Sequence, residues 1–195
     1  MKWDKEKTLF ELSEKIRLGR VDKDILPLLN IINSFEDMYT LSSCSGRILL
    51  LELPEIGDKK NAIFHGIWHS PVSHDLVVEA CESYLSRGKE KSYLYLLMQS
   101  PILHLKVKSL RTAEEMFQLA RCCGFKNSGF KSLVPPYLLE ILSTERIDIP
   151  VGHDRKLMVK REEMEFFIER CNKALKRSKK KLEKLVNKLL HGELR

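Results

Sequence analysis

The sequence predicts an α+β fold: a mixed, strand-rich core with flanking helices and a long C-terminal helix, and not a Rossmann arrangement. Three observations predict it. Short apolar runs of strand length crowd the stretch from 38 to 159. Helical periodicity with start and stop signals governs both ends and interrupts the middle. None of the nine glycines forms a G-x-G pair, so the dinucleotide loop of a doubly wound sheet is missing.

Leu9, Leu12 and Ile16 place a helix over 4–18, which Gly19 stops. Asp24 is a good N-cap for a second helix with Pro27 in its first turn and Leu28, Leu29 and Ile32 on its apolar side. Met38–Ser43 and Arg47–Leu53 read as strands around Cys44-Ser45-Gly46, which predicts a tight hairpin or a bulge. A polar loop precedes a strand over Ala62–Trp68. Ser73 caps a helix running to Arg87 and stopped by Gly88. Tyr93–Met98 and Ile102–Val107 are strands around the Ser100-Pro101 turn. Thr112 and Glu115 form a capping box for a helix ending at Cys123-Gly124. Phe125–Leu133, Tyr137–Ser143 and Ile147–Val151 read as further strands, and Leu157–Val159 as a short one. In the last helix, about 161–190, an apolar stripe runs from Met164 through Ile168, Cys171, Leu175 and Leu182 to Leu189. No linker divides the chain, so a single domain over 1–195 is expected.

At 195 residues and 43% hydrophobic, the chain can bury a core without staples. It carries no apolar run long enough for a membrane span and no signal peptide at its start, so no membrane partner is expected. The five cysteines are odd in number and form no C-x-x-C, which points to a reduced, cytoplasmic protein rather than a disulfide framework. The net charge of +7 is one-sided: from Arg170 to Lys188 nine basic residues face a single acid, Glu183. Lys173, Lys176, Arg177, Lys180 and Lys184 recur at helical steps and form one basic side, either a solvated face or a binding surface for a polyanion.

There is no Walker A sequence and no H-E-x-x-H. His65 and His69 have zinc-pair spacing on a helix, but on a strand four residues span roughly 13 Å, so no metal site is expected. Ser42-Ser43-Cys44-Ser45-Gly46-Arg47 sets small polar residues and an arginine fork between two strands. Gly124-Phe125-Lys126-Asn127-Ser128-Gly129 has the same character. Each segment alone reads equally as turn chemistry. Trp68 and His69 end a strand, where they could stack on a base or belong to the core. Alternation puts Ile102, His104 and Lys106 on one strand face, so His104 is half-exposed or set in a polar pocket.

Taken together, these blocks resemble the archaeal form of the wybutosine-synthesis N4-methyltransferases of phenylalanine tRNA. The resemblance rests on the segment from Phe35 to Arg47, on Trp68-His69, on the strand carrying His104, on Gly124–Gly129, on Ile149-Pro150-Val151 and on Lys156–Val159. It implies methylation of N4 of a 7-(3-amino-3-carboxypropyl)-4-demethylwyosine-type tricyclic base at position 37 of tRNA(Phe), with S-adenosyl-L-methionine as methyl donor and without a Rossmann fold. On that reading Ser42, Ser43, Cys44, Ser45, Gly46, Arg47, Trp68, Asn127, Ser128 and Gly129 line the cofactor or base pocket. Arg47 takes the methionine carboxylate, and His104 or His69 bonds the base or accepts a proton. The basic helix holds tRNA phosphates. Two alternatives keep the same sequence features: a non-catalytic RNA-binding module using the basic helix, and an interaction protein whose last helix pairs with another chain.

Overall fold

The structure is a computed structural model that describes residues 2–58 and 60–194. It forms two compact units. The first takes Met1–Ser45, Ser100–Thr144 and Ser178–Arg195, and the second takes Gly46–Gln99 and Glu145–Arg177.

The first unit is built on an antiparallel four-stranded sheet in the order β1 (Met38–Cys44), β5 (Ile102–Val107), β7 (Tyr137–Leu142), β6 (Gly129–Ser132). Helices cover one face, because alternate residues of every strand are apolar. Met38, Leu103, Leu105, Leu139 and Ile141 are fully buried there in one cluster with residues of α2 (Leu26–Ser34), α4 (Leu110–Cys122) and the end of α5 (Arg161–Leu190). Helix α1 (Lys5–Arg17) precedes this core and buries no residue completely.

The second unit has a five-stranded antiparallel sheet in the order β3 (Ile63–Trp68), β2 (Arg47–Leu53), β4 (Tyr93–Gln99), β8 (Arg146–His153), β9 (Lys156–Leu157). Ile48, Leu50, Leu94, Leu96, Met98 and Val151 pack with Val77, Cys81 and Tyr84 of α3 (His74–Arg87). Met164, Ile168, Cys171 and Leu175 of α5 complete that core. The apolar stripe of the last helix is therefore spent inside the chain, Leu182, Leu185 and Leu189 lying in the other core. That removes the interaction-protein alternative, which needed the stripe exposed.

Five local expectations are corrected. Cys44–Gly46 closes no hairpin: β1 pairs with β5, while β2 pairs with β3 and β4, so the connector passes from one sheet to the other. Ser100-Pro101 makes the same passage between β4 and β5. Both connectors look like turns in sequence because strand pairing here is non-local. Thr112 is not the cap of α4. Ser109, three residues earlier, accepts the Thr112 amide at 3.0 Å, and the Thr112 hydroxyl donates to Asp37 at 2.5 Å. Asp22, not Asp24, caps the second helical segment by accepting the Asp24 amide into a 3-10 turn over Lys23–Ile25, ahead of α2. The segment after Gly124 also stays a turn until Gly129, where β6 begins.

Candidate active site

The face of the four-stranded sheet opposite its helices carries a polar row. Ser42 of β1 sits opposite His104 of β5, His104 opposite Glu140 of β7, and Glu140 opposite Gly129 of β6. Strict alternation from the buried Met38 would turn Ser42 toward the core. The pairing instead skips Leu41, between Thr40↔Leu105 and Ser42↔His104. This bulge moves Ser42 onto the open face, a re-aiming that bulges commonly perform beside functional sites. A second irregularity between Phe130 and Ser132 leaves Lys131 out of the ladder and lets it reach the row.

In this row His104 is held from both sides. Its Nδ1 lies 2.9 Å from Ser42 Oγ and its Nε2 2.9 Å from Glu140 Oε2. The other Glu140 oxygen takes Lys131 Nζ at 2.8 Å. Burial pushes the Glu140 carboxyl up, but hydrogen bonds from Lys131 and His104 outweigh it and hold the group below the usual carboxylate range. An ionised Glu140 can only accept, so in the neutral imidazole Nε2 carries the hydrogen and Nδ1 is left to accept from the Ser42 hydroxyl. The result is a hydroxyl–imidazole–carboxylate chain with a fixed direction, able to take one proton at Ser42 and pass one to His104. Cys44, Ile102 and Leu142 form the next row on the same face and give it an apolar, partly buried border.

The other candidates of this unit support the row. Ser128 Oγ donates to Phe125 O at 2.7 Å and accepts the Leu142 amide at 3.1 Å, and the Asn127 amide donates to Leu142 O at 3.1 Å. They fasten the turn before Gly129 onto β7. Ser43 pairs with the buried Leu103, and Ser45 is itself buried, with its hydroxyl bonded to Asp22.

In the second unit, Gly46 has φ +92°, a region open to glycine, and immediately precedes β2. Arg47 is half-buried, and its Nε donates to Gln99 Oε1 at 3.1 Å across the β2–β4 pair. The fork's two terminal nitrogens keep the geometry that a carboxylate takes. His69 Nδ1 lies 3.2 Å from Gly46 O. Trp68 packs against the core, and its ring lies flat over Gly66, whose absent Cβ would fall 2.1 Å from that ring. His65 is held by hydrogen bonds: its Nε2 meets Glu52 at 2.7 Å and its Nδ1 meets Ser83 at 3.1 Å. Among the described residues no group of three or more His, Cys, Asp or Glu side chains gathers that could hold a metal ion.

All five cationic candidates of α5 are exposed. Lys173 pairs with Glu169 at 2.5 Å, Arg177 with Glu145 at 3.4 Å, and Lys184 donates to Cys122 O at 3.1 Å. The sequence reading missed Glu140 and Lys131. Glu140 had a signal, a single charge inside the apolar run Tyr137–Leu142. Lys131 had none, since its reach depends on the bulge.

Comparison with known proteins gives a consistent result. A family model described as methyltransferase TYW3 matches residues 3–191. A Thermococcus sibiricus protein named tRNA(Phe) 7-((3-amino-3-carboxypropyl)-4-demethylwyosine(37)-N(4))-methyltransferase is 41% identical over 186 residues, covering 95% of this chain and 92% of its own length. A Methanocaldococcus jannaschii protein of the same name is 36% identical, with 95% of each chain covered. A solved structure from Pyrococcus horikoshii superposes with a TM-score of 0.88 at 41% identity, covering 95% of this chain and 93% of that one. No helix among the described residues is long and apolar enough to cross a membrane.

Proposed function

The chain belongs to the TYW3 methyltransferase family, and on that premise we propose that it methylates N4 of a 4-demethylwyosine-type base at position 37 of tRNA(Phe), in the cytoplasm, with S-adenosyl-L-methionine as donor. The observation that carries this reading is the Ser42–His104–Glu140 row on an open sheet face. A module that only binds RNA has no use for a directed proton chain, so the row favours the enzyme.

The donor, when bound, supplies a methyl already activated on a sulfonium sulfur. The accepting ring nitrogen gains that methyl and loses its hydrogen, so the protein must align the base and take one proton. Ser42 Oγ accepts the proton from the ring N–H while its own passes to His104 Nδ1 at 2.9 Å. The imidazolium that forms is paired at once with Glu140. Ile102 and Leu142 border the row with apolar surface against which a flat tricycle can lie. No covalent enzyme intermediate is needed, and Cys44 serves as part of that border.

Arg47 fits the carboxylate end of the donor. Gln99 fixes its Nε, and Gly46 beside it supplies the positive φ with which the chain enters β2. Arg47→Ala is expected to weaken donor binding by about 1.5–3 kcal/mol, the range for hydrogen bonds to charged groups. Arg47→Lys should restore only part, because the planar fork is lost. Calorimetric titration measures both, and unchanged affinity in the two variants removes Arg47 from the donor site.

The exposed side of α5 is read as a phosphate-binding surface. Replacing Lys176, Arg177 and Lys180 together by Gln should weaken tRNA binding and reduce the slope of log affinity against log salt by about 2–3. Binding equal to that of the parent at every salt concentration leaves the helix a solvated face. The reading as a whole is tested by incubating the protein with methyl-labelled donor and tRNA carrying the demethyl precursor. Label on N4 of position 37 supports it, and label elsewhere or none contradicts it.

A further inference from the structure

The polar row has a neighbour on the same sheet face that the methyl-transfer chemistry does not use. Tyr39 of β1, Lys106 of β5 and Leu138 of β7 form the adjacent row, and same-face positions two residues apart on a strand lie only ~7 Å from each other. Chain residues 2–5 lap over this end. The buried Lys106 ammonium donates to Lys2 O at 2.8 Å and to Asp4 Oδ1 at 2.9 Å. Asp4 also accepts from the Tyr39 hydroxyl, and Lys5 donates to Phe35 O. The segment is therefore held in place before any ligand arrives.

That anchoring presents an aromatic ring among cations. The Trp3 ring meets Tyr39 edge-on, with centroids 4.8 Å apart, and the Lys108 ammonium hovers 4.8 Å from the Trp3 centroid. Around them opens a cavity of about 890 Å³ lined by Trp3, Lys2, Lys5, Lys7 and Lys108. Three carboxylates also line it, those of Asp4, Glu6 and Glu36, of which Asp4 is already neutralised by Lys106. At the same end of the sheet Tyr137 pairs with Val107, and the loop before Tyr137 exposes Leu133 (69%) and Val134 (67%). A half-buried indole, exposed lysines and apolar loop side chains next to a base-modifying row are the elements of a single-strand RNA platform, where aromatic rings stack bases and cations hold phosphates.

We propose that Trp3 and Lys108, with Lys2 beside them, bind the single-stranded nucleotides that flank the target base, stacking one base on the indole while the two lysines take adjacent phosphates. The Lys108 ammonium leaves the indole face for a phosphate when RNA binds. This inference rests on the proposed tRNA reaction, and it assigns to the first unit an RNA contact independent of the basic helix.

The test measures tRNA affinity against salt for the parent, Trp3→Leu, Trp3→Phe and a Lys2→Gln/Lys108→Gln double variant, together with intrinsic fluorescence and unfolding temperature. Trp3→Leu is expected to weaken binding by roughly 5- to 160-fold, the span found for loss of one stacked base, and Trp3→Phe to recover most of it. The double variant should flatten the salt slope by about 1.4, since each single-strand phosphate contact contributes about 0.7. tRNA should quench the parent's tryptophan emission more than that of Trp3→Phe. If Trp3→Leu proves unfolded, the double variant, altered only in exposed lysines, decides. A parent that methylates tRNA while the folded variants bind it with unchanged affinity and salt slope overturns the inference and leaves the reaction standing. A parent that transfers no methyl to tRNA overturns the reaction and this inference with it.

Discussion

His104→Ala is expected to lower the single-turnover rate of methyl transfer by about 10²- to 10⁴-fold, the usual contribution of a positioned general base. The fold should survive the change. His104 is partly exposed, with 27% of its side chain accessible, and Glu140 keeps Lys131 as its partner when the imidazole is gone. Donor affinity, set in this account by Arg47, should stay at the parent value. A rate loss below tenfold at saturating tRNA and donor places the proton elsewhere. Glu140→Gln should fall between parent and His104→Ala. An amide can still orient the ring, but it no longer stabilises the imidazolium.

His65→Ala carries the largest expected effect on stability. Glu52 is completely buried, and its Oε2 relies on His65 Nε2 at 2.7 Å while Oε1 accepts the Lys89 amide at 2.6 Å. Removing the hydrogen bond from His65 leaves a buried carboxylate oxygen without its partner and costs about 1–3 kcal/mol, more when the group is charged, a large part of the ~5–15 kcal/mol that holds a typical domain folded. The sign with pH follows from Glu52. Burial pushes its carboxyl up, but the bonds from His65 and the Lys89 amide outweigh that and hold it below the ordinary value. A carboxyl lowered on folding contributes stability that is complete above its unfolded pKa and lost as pH falls through its folded one. The gap between parent and His65→Ala in urea unfolding should therefore be widest near neutral pH and shrink on acidification into the carboxylate range. A gap below 1 kcal/mol at pH 7 contradicts the assignment of Glu52 as a buried charge.

Much of this architecture is legible in the sequence, and what is not has definite physical reasons. Strand and helix positions follow from local periodicity, so Arg47–Leu53, Ile102–Val107 and the Ser73-capped helix emerge within a residue of their structural limits. Pairing partners do not. The short polar connectors at Cys44–Gly46 and Ser100-Pro101 look like hairpin turns, and only non-local contacts reveal that each leads from one sheet to another. The lone histidine in Ile102–Val107 was visible as a polar group between two leucines. Its partners were not, because Ser42 reaches the open face through a bulge at Leu41 that neither glycine nor proline marks. Trp68 illustrates the opposite case. Gly66, two residues earlier on the same face, leaves room for the ring to lie flat on the strand, so the tryptophan is spent largely on the core.

On this mechanism Ser42 and His104 act as one proton-accepting unit in methyl transfer. The most direct measurement is a double-mutant cycle on the single-turnover rate, using Ser42→Ala, His104→Ala and the pair at saturating donor and precursor tRNA. Groups that work as a unit are grossly non-additive. The double variant is expected to be no slower than His104→Ala alone, within about twofold. A double variant slowed by the product of the two single effects would mean that the residues act independently, and the relay across the 2.9 Å contact between them would be wrong.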